Sequence, residues 1–176
     1  MSDTKFVLWL LPQSDQGQAF EDLINDLAVR FRSPAFLPHV TLLPLATHDR
    51  SIAENIVSTL AATMSSFSVQ IAGIETEPDY FRFLTLRLAN DPALVELHRQ
   101  ACRLAALPVT TFKPHISLMY HCENAALQSS AREYCMMQPA LARTLADNIV
   151  LNRLALVDIS AEVSQWQVLE ERPTGG

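Results

Sequence analysis

A chain of 176 residues, 49% hydrophobic and 18% charged, can bury a core, which excludes a disordered or fibrous protein. Its net charge of −6 and the lack of any basic run argue against a grip on long nucleic acid, because each neutralised phosphate needs a Lys or Arg. With only 4 glycines and no GxGxxG or GxxxxGK, the chain also lacks the glycine-rich phosphate loops.

The expected partner is therefore a small phosphorylated molecule. Cys102, Cys122 and Cys135 form no CxxC, so neither structural zinc nor any other metal or cofactor is expected. The N-terminal run MSDTKFVLWLLPQS is too short to span a membrane and carries no small-residue cleavage site. Together with the unpatterned thiols, it points to a cytoplasmic protein with no membrane partner, expected to be a monomer.

In chain order, residues 5–11 (KFVLWLL) read as a buried strand ended by Pro12. Residues 17–32 read as a helix, with Phe20, Leu23, Ile24, Leu27 and Phe31 at helical spacing. A strand over 39–43 (HVTLL) lies between Pro38 and Pro44. A second helix over 49–64 is capped by Asp49 or Ser51. Residues 67–75 and 81–88 alternate as half-buried strands, which places Arg82 and Arg87 on a solvent face. Pro92 opens a helix that ends before Pro108, and a strand follows at 115–119 (HISLM). A helix over 123–137 is terminated by Pro139, and strands at 148–158 and 165–170 close the chain. No linker divides the halves. The order of elements predicts one domain over 1–176, built of two intimately packed α+β lobes with sheets of mixed direction.

The chemistry lies in a repeat. Residues 36–43 read FLPHVTLL and residues 112–119 read FKPHISLM. Phe, Pro, His and Leu recur in place, and Val/Ile, Thr/Ser and Leu/Met match in kind. Side chains alternate along a strand, so His39 and Thr41 share one face while Val40 and Leu42 share the other; His115 and Ser117 do the same. Each polar face offers an imidazole and a hydroxyl. If an approximate two-fold relates the lobes, both pairs meet across a groove. A neutral imidazole can accept a proton from attacking water, and a charged one can protonate a departing ribose oxygen. The hydroxyls of Thr41 and Ser117 can hold the non-bridging phosphate oxygens.

On these residues the chain resembles the two-histidine (2H) phosphoesterases, and within them the cyclic phosphodiesterases, whose repeated His-x-Thr/Ser motif is met by HVTL at 39–42 and HISL at 115–118. VLWLLP, LNRLAL at 151–156 and Trp166 extend the likeness over essentially the whole chain. The resemblance implies a bilobal α+β fold, two pseudo-symmetric lobes with mostly antiparallel sheets facing a central cleft and helices outside. It implies metal-independent opening of ADP-ribose 1″,2″-cyclic phosphate or of nucleoside 2′,3′-cyclic phosphates, with His115 as general base and His39 as general acid. It further implies an active-site tyrosine at Tyr120, and stacking of base or ribose on Trp9 and Phe81. Alternation alone puts Tyr120 on the wrong face, so that carry-over needs a bulge between Ser117 and Tyr120.

Each residue also has a plainer reading. Trp9 and Phe81 could be core, Tyr120 could cap it, and Thr41 could simply suit a strand. His48 reads as a loop residue, His98 as surface or lobe interface, His121 as a cleft-rim candidate, and Lys113 as a solvated lysine. Two other functions fit the motif. One is an RNA-end processing 2′,3′-cyclic phosphodiesterase or ligase-type enzyme, which would show length preference and steep salt dependence. The other is a non-catalytic nucleotide-binding module.

Overall fold

The computed structural model describes residues 4–121 and 124–174. Cys122, and Glu123 at the start of the expected helix over 123–137, lie outside the described residues. The strands are β1 (Phe6–Pro12), β2 (Val40–Pro44), β3 (Phe67–Glu75), β4 (Leu84–Leu88), β5 (His115–Met119), β6 (Asn148–Asp158) and β7 (Gln167–Pro173). The helices are α1 (Ser14–Phe31), α2 (Arg50–Thr63), α3 (Pro92–Leu104), α4 (Ala125–Met136) and α5 (Pro139–Ala146). No helix among the described residues is long and apolar enough to cross a membrane.

Helix starts follow local capping chemistry. Asp49 and Asp91 each accept backbone N–H groups from the first turns of α2 and α3, satisfying donors that a helix start leaves bare. Pro92 sits at the opening of α3, where its missing N–H costs nothing. One short element departs from expectation. Pro139 follows the end of α4 but then opens α5, a use of proline at a helix start that the sequence reading took only as a stop.

The strands form one seven-stranded sheet in the order β1-β2-β5-β4-β3-β6-β7, with β1 also pairing β6, and every pairing is antiparallel. The mixed direction expected from the order of elements is thus corrected. The connections through α1 and α3 return the chain to the strand beside the one it left, running the other way, whereas those through α2 and through α4 and α5 carry it to a strand that is not a neighbour.

Two lobes stand out within this sheet. β2-β1-β6-β7 make one and β3-β4-β5 the other. They meet at a single β2–β5 pairing, Val40 with Ile116, and where the start of β6 pairs with β3. Exchanging β1 with β4, β2 with β5 and β3 with β6 maps the pairings onto themselves and leaves β7 as the extra strand. The repeated octapeptide is the sequence mark of this pseudo-two-fold. The helices cross over: α1, which follows β1, packs on β5, and α3, which follows β4, packs on β2. Each lobe therefore covers the other's motif strand.

β1 is buried on both faces, which explains its unbroken apolar run. Phe6, Leu8 and Leu10 enter the main core beneath α1, α2 and α3. Val7, Trp9 and Leu11 form a smaller cluster with Ala155 and Val157 on the cleft side. Each fully buried leucine contributes about 1.5–3 kcal/mol. Val40, Leu42, Ile116 and Leu118 also face the main core, so the polar alternates of both motif strands turn the other way.

Candidate active site

That other face is a cleft of about 270 Å³, lined among others by Trp9, His39, Thr41, Phe81, Arg82, His115, Ser117, Tyr120 and Trp166. All seven residues expected at the site, His39, His115, Thr41, Ser117, Tyr120, Trp9 and Phe81, lie in one wall system.

Each imidazole is aimed by its own chain. Nδ1 of His39 lies 2.6 Å from the Leu37 carbonyl oxygen, and Nδ1 of His115 lies 2.9 Å from that of Lys113. A carbonyl only accepts, so Nδ1 carries the proton in both rings and donates it. Nε2 of each ring is left for chemistry.

The motif is symmetric but its surroundings are not. Val40 pairs with Leu10 as Ile116 pairs with Leu86, so Trp9 opposite Thr41 matches Thr85 opposite Ser117. Where one lobe has a small hydroxyl, the other has an indole. Trp9 stacks on His39 at 3.6 Å between centroids and 8° between planes. His39 is 5% exposed. Burial, against a raising effect of the Leu37 carbonyl, takes its pKa down to about 4. A charge on His115 lowers it further, so the rings are electrostatically coupled.

His115 is only half-buried. Burial and the Arg82 guanidinium lower its pKa as well, while the Lys113 carbonyl and the Glu77 and Asp79 carboxylates push the other way.

Tyr120 reaches the cleft by the bulge its position requires. The β4–β5 register shifts between Leu84, opposite Met119, and Thr85, opposite Ser117, so Leu118 is the extra residue. That resets the alternation and turns Tyr120 to the face of His115. Phe36 stacks on Tyr120 at 3.8 Å, and burial holds its phenol far above its ordinary pKa, so it stays a neutral donor. Ser117 Oγ donates to the Phe81 carbonyl at 2.8 Å and must rotate to serve a substrate oxygen. The Thr41 hydroxyl has no hydrogen bond among the described residues.

The sequence reading missed two participants. Arg82 lines the cleft rather than the solvent face of a strand, because residues Tyr80–Arg82 form a 3₁₀ turn and β4 begins only at Leu84. Asp79 caps that turn, accepting from the backbone N–H of Phe81 at 3.0 Å and of Arg82 at 3.1 Å. Glu-Pro-Asp ahead of it was the available turn signal. Arg82 pairs with Glu77 at 2.6 Å, while its buried Nε has no hydrogen-bond partner among the described residues. Trp166 is the second. Its Nε1 donates to the Ala161 carbonyl at 3.1 Å, and its ring lies 6.2 Å from Phe81 with 27° between planes.

The remaining histidines lie elsewhere. His48 Nδ1 sits 2.6 Å from the Thr4 carbonyl oxygen, and the ring of His121 lies 5.3 Å from Phe83, not in the cleft lining. His98 is buried at the lobe interface on α3. The β1–β2 register also shifts, between Leu8 opposite Leu43 and Trp9 opposite Thr41, which leaves Leu42 as the odd residue. His98 Nδ1 takes up that residue's carbonyl at 2.9 Å, and its ring stacks on Phe112 at 4.5 Å. One side chain thus braces both motif segments from behind. The spacing Phe20–Ile24–Leu27 on α1 matches Leu94–His98–Ala101 on α3, so isoleucine fills the equivalent place in the other lobe. His98→Ile should therefore fold, but leave the Leu42 carbonyl unsatisfied. The expected loss is about 1–3 kcal/mol in urea unfolding, and an unchanged midpoint would deny the brace.

No group of three or more His, Cys, Asp or Glu among the described residues could hold a metal ion. Cys102 and Cys135 are buried free thiols, the latter pushed up to about 12 by burial.

A pseudo-two-fold antiparallel fold, with a His-x-Thr and a His-x-Ser strand facing one cleft, defines a 2H phosphoesterase. The comparisons agree. The family model described as "Cyclic phosphodiesterase-like protein" matches residues 5–173, and the chain belongs to that family of enzymes. The "Cyclic phosphodiesterase" of Arabidopsis thaliana is 24% identical over 170 residues, covering 93% of this chain and 92% of that one. Escherichia coli LigT in complex with 3′-AMP superposes with a TM-score of 0.59 at 14% identity, over 98% of this chain and 99% of that one. TT0787 of Thermus thermophilus gives 0.60 at 15% identity, over 98% of both chains. These two likenesses bear on the fold.

Proposed function

We propose that the protein hydrolyses cyclic phosphate esters on ribose, nucleoside 2′,3′-cyclic phosphates or ADP-ribose 1″,2″-cyclic phosphate, without a metal. The observation that carries this reading is the pair of Nε2-presenting imidazoles in one small cleft that also holds Thr41, Ser117 and Arg82. The family's name supports it, as does the 3′-AMP complex of LigT, whose fold this chain shares. The acidic chain, with Arg82 the lone Lys or Arg among the described residues that line the cleft, favours a small substrate over RNA.

The surroundings favour a division of labour opposite to that implied by the resemblance. His39, dry and stacked on Trp9, is held neutral and is the general base. His115, more open and with Glu77 and Asp79 acting against the Arg82 guanidinium, more readily carries the proton than His39 and is the general acid. Water attacks phosphorus while His39 Nε2 takes its proton. The new P–O bond forms as the bond to one ribose oxygen breaks, and His115 Nε2–H protonates that oxygen. Arg82, Thr41 and Ser117 hold the non-bridging oxygens, where negative charge gathers. Tyr120 supports Ser117 from behind.

The test is phosphorus NMR of adenosine 2′,3′-cyclic phosphate incubated with the protein in excess EDTA. A ring-strained cyclic signal should convert to one monoester signal. No conversion of either proposed substrate would refute the assignment.

A further inference from the structure

Beside the catalytic cleft lies a second cavity, of about 250 Å³. The two share Trp9 and Trp166 in their linings. α1 brings Glu21 and Asn25 to the second cavity, the turn before β7 brings Ser164, and Phe36 comes from the segment leading into His39.

Its chemistry is unlike that of the cleft. The cleft meets an anion with Arg82 and two imidazoles. Among the described residues the second cavity has no Lys, Arg or His in its lining, and the one ionisable side chain there is Glu21. Glu21 is half-buried and has no ion pair or side-chain hydrogen bond among the described residues. A phosphate placed there would face like charge across a partly desolvated gap. A group rich in O–H and N–H would find acceptors in Glu21, Asn25 and Ser164. A carboxylate suits a ribose diol, and an indole suits a base.

We propose, resting on the function above, that this cavity is a subsite for a second nucleoside. With the reacting ribose in the cleft, a nucleoside tethered to that ribose's 5′ oxygen passes Trp166 and sets its hydroxyls against Glu21. The linking phosphates stay outside the cavity. The preferred substrate class is then a two-nucleoside cyclic phosphate rather than a mononucleotide.

The chain's 2 tryptophans are Trp9 and Trp166, so quenching of intrinsic fluorescence reads these two cavities alone. Three non-reacting 2′-phosphates serve as ligands. 2′-Phosphoadenosine 5′-diphosphate has no second nucleoside. NADP+ carries one across a pyrophosphate, and adenylyl-(3′→5′)-adenosine 2′-phosphate carries one across a phosphodiester. The expected result is binding about tenfold tighter for at least one two-nucleoside ligand than for the first, the better one naming the linkage. Glu21→Ala should erase that advantage and leave the first ligand's Kd unchanged. Equal affinity for all three, or a Glu21→Ala loss shared by all three, overturns the subsite. Failure of all three to bind counts against the cleft as a nucleotide site and so against both readings. Loss of hydrolysis with this binding pattern intact counts against the proposed function alone.

Discussion

His39→Ala and His115→Ala are each expected to lower kcat on a 2′,3′-cyclic nucleotide by about 10²–10⁴-fold, the range for removing a general acid or base. KM should change little, because Arg82, Thr41 and Ser117 still hold the phosphate. The double variant should fall only slightly further than the worse single one, since two groups acting in one proton relay are not additive. Both single variants should fold. His39 lies against Trp9 and His115 is half open, so neither deletion removes a residue of the main core. Activity in either variant within tenfold of the unmodified protein would mean that its imidazole takes no part.

The second large effect is on pH. The free protein holds His39 near 4 and His115 below its ordinary 6.5. If neutral His39 is the base, kcat/KM rises with pH as His39 loses its proton near pH 4. If charged His115 is the acid, kcat/KM falls again as His115 loses its own proton, at a lower pH than an ordinary imidazole because burial and Arg82 disfavour its charge. A bound phosphate anion favours the imidazolium, so the falling limb of kcat should lie at higher pH than that of kcat/KM. The variants give the roles. Residual activity of His39→Ala depends on His115 alone and should fall about tenfold per pH unit above the His115 pKa. Residual activity of His115→Ala should fall toward acid as His39 is protonated. Slopes of opposite sign in both variants would exchange base and acid.

How much of this was legible in the sequence follows from the range of the interactions involved. The octapeptide repeat fixes both motif strands, because strand alternation and burial of Val40, Leu42, Ile116 and Leu118 are local consequences of residue type. The same repeat announces the pseudo-two-fold. Tyr120 was reachable only by requiring a bulge, and the register shift at Leu118 supplies one. Arg82 was misplaced because FRFLTLRL alternates well enough to look like one strand, while the Asp79 cap pulls its first residues into a turn. α5 was missed because Pro139 was read only as a terminator. The unequal settings of the two histidines could not be read at all. They depend on which residue of β1 or β4 stands across from the motif hydroxyl, a register that pairs Trp9 with Thr41 and Thr85 with Ser117.

Nitrogen-15 NMR of the histidine rings during titration with uridine and vanadate, which together form a five-coordinate mimic of the attacked phosphorus, addresses the convergence of the two rings most directly. Nε2 of His39 and Nε2 of His115 should shift together and saturate at the same vanadate concentration, while His48 and His98 stay put. A shift confined to one of the two, or saturation at separate concentrations, would contradict a single phosphorus site shared by both lobes.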